Sequence, residues 1–249
     1  MNPIQLRNYL HIINIRTLLV LLISAGTSFL VIHFNIKYNF DLTIISIAII
    51  FPLVFTIRAA FRRREKALEH LSRFRASMLI VHHSFQRCKK LTDEQRAQIK
   101  ATLVRISDSL MVQLGRHDDN QKDLRIELNS VFQFIHDRKE EISTSDALKI
   151  MRFMKDVQTA VENTIAIDTH RTPISLRAYC LVFIYFFPII YSPSLHHRLA
   201  GEASWGVYAL SMITGFILIS LFNVQDQMEN PFDQKGLDDI RLAEFKFNP

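Results

Sequence analysis

The chain has 249 residues, of which 49% are hydrophobic and 22% charged, with a formal net charge of +6. A mean hydropathy of +0.11 alongside that charged fraction fits neither an ordinary soluble enzyme nor a pure membrane bundle, so apolar and charged residues must be segregated along the chain. The two cysteines, Cys88 in a basic polar segment and Cys180 in an apolar run, exclude a secreted disulfide framework and offer no zinc spacing.

Four apolar runs, residues 17–34, 40–57, 174–192 and 205–222, are each close to the roughly 20 residues that cross a ~30 Å hydrocarbon layer. The first is too long for the core of a cleavable signal and lacks a small-residue cleavage site, so it reads as a true span. The second ends in DLTIISIAIIFPLVFTIRAAFRRR, where Ile47, Phe51 and Phe55 recur every four residues and lead into Arg58, Arg62, Arg63 and Arg64. Four-residue steps stack three bulky side chains on one helix face, which suits either a pore lining or packing against lipid and a neighbouring helix; spacing alone favours packing. Arg7, Arg16, the 58–64 arginines, Arg171 and Arg177 flank one side of the spans. The connections on the other side carry only Lys37, and Arg198 offset by Glu202. The positive-inside rule therefore puts both termini and the middle of the chain in the cytoplasm of a multi-pass cell-membrane protein.

Between the second and third spans the only glycine is Gly115 and no proline precedes Pro173, which favours helices. Ala67, Leu71, Phe74, Met78, Val81 and Phe85 alternate steps of four and three and continue the second span as one long helix. Thr92 and Gln95 form a capping box opening a helix with Ile99, Leu103, Ile106 and Leu110 on one face, closed by Gly115 and the polar run 117–121. A third helix fits residues 124–135, with Leu124, Leu128, Val131 and Ile135 as its stripe. A fourth starts near Ser143 or Ser145 and carries Leu148, Met151, Met154, Val157 and Val161. The expected class is an all-α membrane protein. Its segments are 1–58 with two spans, a cytoplasmic helical region 59–170, two further spans in 171–223, and a cytoplasmic tail 224–249.

Signals for chemistry are weak. The pairs His82–His83 and His196–His197 have no carboxylate or cysteine at ligand spacing and are expected to be solvent-facing or interfacial. No nucleophile elbow, Walker A, dinucleotide or zinc-protease pattern occurs, so no enzyme, cofactor or metal is expected. The 58–64 arginines lie where anionic lipid headgroups are met, which makes lipid rather than nucleic acid their partner. Ionisable residues are nearly absent inside the runs, disfavouring a proton relay. Passive conduction or a non-catalytic role remains.

Three separated segments carry a resemblance. They are Ile47, Phe51 and Phe55 followed eight residues later by Arg63; R-T-P-I-S-L-R-A-Y at 171–179, with Thr172 and Pro173; and Q-M-E-N-P-F at 227–232, with Asn230, Pro231 and Phe232, followed by Asp238, Asp239 and Ile240. In order and interval they resemble the bestrophin family of ion channels, including its shorter prokaryotic members. Pro52 inside the neck segment and Asp233 in place of a glycine depart from the family pattern. The 233–240 stretch is also less acidic than the calcium clasp of animal members, so no tightly bound metal is implied.

The resemblance implies a bestrophin-like homopentamer, a ring of five subunits with four transmembrane helices and a helical cytoplasmic bundle each. Its central pore would be constricted at Ile47, Phe51 and Phe55 and pass small inorganic ions, chloride or other anions foremost. It further implies a cytosolic constriction in the region of Ile150 or Met154. A sodium-conducting homologue and a non-conducting membrane-anchored sensor or scaffold are the rival readings.

Overall fold

A computed structural model describes residues 13–116, 122–199, 204–234 and 239–249. Arg7, the polar run 117–121, Glu202 and Asp238 lie outside the described residues. Among the described residues the elements are helices throughout: α1 (Ile15–His33), α2 (Leu42–Arg87), α3 (Asp93–Arg116), α4 (Lys122–Asp137), α5 (Thr144–Thr169), α6 (Ile174–Arg198) and α7 (Ser204–Met228), followed by a 3-10 turn at Leu242–Phe245. Among the described residues four stretches are long and apolar enough to cross a membrane: α1, α2, α7 and the stretch Thr144–Arg198 that holds α6. At about 1.5 Å per residue the 46 residues of α2 run about 69 Å, more than twice a ~30 Å hydrocarbon layer. Only part of that helix can lie in lipid.

Local chemistry sets the helix ends. Asn14 caps α1, its side chain accepting the backbone N–H groups of Arg16 and Thr17. The capping box at α3 is formed: Thr92 N–H donates to Gln95 Oε1 at 2.8 Å, and Gln95 N–H to Thr92 Oγ1 at 3.2 Å. Ser143 caps α5 by accepting the Asp146 N–H.

The chain divides into two compact units, Met1–Arg62 with Thr172–Glu229, and Arg63–Arg171 with Asn230–Pro249. In the first, α1, α6 and α7 pack on one another, and Ile49 and Leu53 of α2 join Val20, Ile184, Ile219 and Phe222 in one apolar cluster. Small residues allow the close approach of α1 and α7. A Cβ at Gly215 would come within 2.8 Å of Ser24 Oγ and 2.9 Å of Val20 Cγ1. The hydroxyls of Ser192 and Ser211 meet at 3.0 Å, and that of Ser28 reaches Ser192 at 3.4 Å, so these three buried hydroxyls partner one another.

In the second unit the predicted seam of α2 is the core. Ala67, Leu71, Phe74, Met78, Val81 and Phe85 are all fully buried, against Leu103, Ile106 and Leu110 of α3 and Val131 of α4. The stripe expected on α5 requires correction at its start, because Leu148 is 63% and Met151 40% exposed while Ile150 is buried. Steps of three fall short of a full turn by about 60° each, which carries Leu148 roughly 120° away from Met154. The sequence 150, 154, 157, 161 stays on one face. The segment 240–249 folds onto this unit, burying Ile240, Leu242 and Phe247. Its Phe247 N–H donates to Ser107 Oγ at 2.8 Å.

Candidate pore-lining site

Within the first unit α2 is two-faced. Ile49, Leu53, Thr56 and Ala60 are at most 1% exposed, whereas Ile47, Phe51 and Phe55 are 48%, 57% and 60% exposed. The two sets lie on opposite sides of the helix, as the 100° advance per residue requires. Phe51 and Phe55 rings lie 6.3 Å apart between centroids. Ile44, Ile50 and Val54 widen the same apolar arc. Beside it, a cavity of about 450 Å³ is lined by Ile47, Ile50 and Phe51 together with Ser46, Tyr191 and Arg198.

The remaining motif residues are joined by polar contacts that tie down chain ends. The Arg63 guanidinium donates to the carbonyls of Ile167 and His170, acceptors at the C-terminal end of α5. A cation there satisfies orphan carbonyls and opposes the helix dipole. Thr172 donates twice to the Glu229 carboxylate, from its N–H at 2.6 Å and its hydroxyl at 2.9 Å, and Gln225 Nε2 donates to the same group at 3.2 Å. Pro173 then starts α6 with no side-chain cap of its own. Asn230 is half-buried; the Pro231 carbonyl accepts the Ile240 N–H at 2.8 Å, and Phe232 is fully enclosed in the core. Asp233, where the family pattern has a glycine, does not carry a positive φ; the left-handed backbone, φ +59°, falls on Gln234.

Ile150 and Met154, expected at a cytosolic constriction, are both 0% exposed in the core of the second unit. A side chain wholly enclosed by its own subunit has no surface with which to line a passage. The apolar residues that α5 does present are Leu148 and Met151. His82 is likewise corrected: it is buried against Phe247, ring centroids 5.8 Å apart, while His83 faces outward.

Sequence reading missed three groups. Asp226 of α7 accepts from Arg16 Nη1 at 3.0 Å and from Arg177, joining the starts of α1 and α6 to the end of α7. Asn223 Nδ2 donates to Asn14 Oδ1 at 3.2 Å and to Thr17 Oγ1 at 3.0 Å. Tyr179, noted only as the last letter of a motif, donates to the Ala48 carbonyl at 3.4 Å. An acid just past an apolar run facing two flanking arginines was the one available signal for the first group. The other two depend on helix placement.

The sequence matches no family profile and no curated protein at a significant level. Solved structures do match. A bacterial bestrophin homologue from Klebsiella pneumoniae, in a tryptophan-to-alanine variant, superposes with a TM-score of 0.75 at 18% identity over 92% of this chain and 91% of that one. The same homologue solved by Zn-SAD phasing gives a TM-score of 0.73 at 17% identity, covering 92% and 93%. The fold is bestrophin-like. The bestrophin-like plan covers nearly the full length of both chains, so the likeness extends across both units and all four apolar stretches.

Proposed function

We propose that this chain forms a homopentameric ion channel whose central pore passes small ions, chloride and other anions foremost, through a neck of Ile47, Phe51 and Phe55. The observation that carries this reading is that a bestrophin-like span leaves its regular Ile/Phe/Phe stripe outside its own subunit's core, opposite a face packed to near-zero exposure. A closed ring of copies turns one such helix from each subunit toward an axis. Stacked rings of apolar side chains then form a bore that holds water poorly and gates by dewetting. Phenyl edges carry partial positive charge, which favours an anion passing over a cation.

Leu148 replaces Ile150 and Met154 as the residue of the second constriction, since it is the more exposed of the two apolar side chains that the start of α5 turns outward. Arg58, Arg62 and Arg64 are exposed or half-exposed along α2 and suit anionic headgroups at the cytoplasmic surface, with both chain termini on that side.

Reconstitution tests the reading. Purified protein in liposomes is expected to pass ions down a gradient, and Phe51→Ala with Phe55→Ala to raise or deregulate that flux. Loss of flux from well-folded wild-type oligomers would instead support a membrane-anchored scaffold.

A further inference from the structure

Pro52 lies inside α2 and has no N–H for the carbonyl four residues earlier, that of Ala48. A carbonyl without a donor is costly where no water is available, and membrane helices tolerate proline only when a neighbour supplies the bond. Here the donor is the Tyr179 hydroxyl, 3.4 Å from the Ala48 oxygen and borne by α6. The phenol ring is itself held by Phe183, with centroids 4.4 Å apart. Ala48 directly follows Ile47, and Pro52 directly follows Phe51, so the interrupted turn lies between the first two residues of the stripe. One turn further on, Thr56 Oγ1 donates to the Leu53 carbonyl at 2.8 Å, a second side-chain bond to the α2 backbone.

We infer that Tyr179 is a positioning residue for the neck: its hydroxyl stands in for the missing Pro52 N–H at the Ala48 carbonyl and so fixes the course of α2 between Ile47 and Phe55. This rests on the reading of that stripe as the pore neck. In an uninterrupted helix the turn between Ile47 and Phe51 would be set by its own ladder; here it is set from α6. Removing the hydroxyl leaves Pro52 as an unlatched pivot, and the offset of Ile47 from Phe51 changes with it. Tyr179 touches no permeating ion; it acts through α2.

A double-mutant cycle tests this. Tyr179→Phe deletes the hydroxyl and keeps the ring on Phe183, while Pro52→Ala returns a backbone N–H to position 52 and makes the hydroxyl redundant. Ion flux from reconstituted liposomes and the thermal midpoint in detergent are read for all four proteins. Tyr179→Phe is expected to change flux several-fold and lower the midpoint when Pro52 is present, and to do neither in the Pro52→Ala background. An equal effect of Tyr179→Phe in both backgrounds, or none in either, overturns the inference. A wild type that passes no ions defeats the channel reading instead, and the midpoints alone then decide the latch: coupling to Pro52 sustains it and additivity overturns it.

Discussion

Asp226 holds two guanidinium groups, from Arg16 and Arg177, at the place where three membrane helices meet. Arg16 also lies over the Phe222 ring, 5.7 Å from its centroid. Asp226→Asn keeps the shape and removes the charge, leaving two arginines in a half-buried setting. The expected loss is about 1–3 kcal/mol, read as a lower thermal midpoint in detergent. Gly215 makes an opposite case, where addition does the damage. Its would-be Cβ meets Ser24 and Val20 at under 3 Å, so Gly215→Ala forces α1 and α7 apart and is expected to cost about 1–3 kcal/mol by the same assay. The pair Ile150 and Leu148 separates packing from lining. Ile150→Ala opens a cavity in a closed core and should cost about 2–5 kcal/mol. Leu148→Ala, at a position 63% exposed, should leave the midpoint nearly unchanged and alter conduction; a large stability loss there would return Leu148 to the core.

Residues 240–249 form a strap on the second unit. Arg75 Nη1 donates to the Glu244 carbonyl at 3.0 Å, Lys246 pairs with Asp108 at 3.0 Å, and the Phe247 ring closes over His82. His82 has both ring nitrogens without a hydrogen bond, Nδ1 being buried. Burial first, then the neighbouring His83 and Lys100, holds its pKa below the ordinary histidine value. Near the strap's end, the Asp108 carboxylate faces Lys246, and Lys100 Nζ donates to the Pro249 carbonyl oxygen at 3.3 Å. The docked strap therefore binds fewer protons than the released one. Its stability is full above about pH 6.5 and falls as the pH drops below that value toward the lowered one. Hydrogen exchange should show the 242–248 amides losing protection between pH 7.5 and 5.5, after correction for intrinsic rates, and His82→Gln should abolish the dependence.

At this same scale the sequence was most informative where burial is periodic. The α2 seam, the α3 and α4 stripes and the capping box at Thr92 were legible because each is a local pattern enforced by one helix face. The start of α5 was misread because three-residue steps drift around the helix, so Leu148 and Met151 looked like core. The latch at Ala48 was only half legible: Pro52 announced a missing donor, but which residue supplies it depends on how α6 packs.

For the molecule as a whole, the exposed arc of α2 and the outward Ile80, Leu148 and Met151 of the second unit are surfaces that a single subunit leaves uncovered. On the pentameric reading proposed above, a ring of subunits turns these surfaces toward neighbouring copies and the pore axis. Light scattering on the purified protein, corrected for detergent, should give five chains of 29.0 kDa, about 145 kDa. A monomeric mass would leave the α2 stripe to lipid alone and remove its reason to be regular. Conduction is the more direct question. In a planar bilayer with asymmetric NaCl, the purified protein is expected to carry a current that reverses near the chloride equilibrium potential and grows when Phe51 and Phe55 are both changed to alanine. No current from folded oligomers would contradict conduction through this neck, and reversal near the sodium potential would contradict its preference for anions.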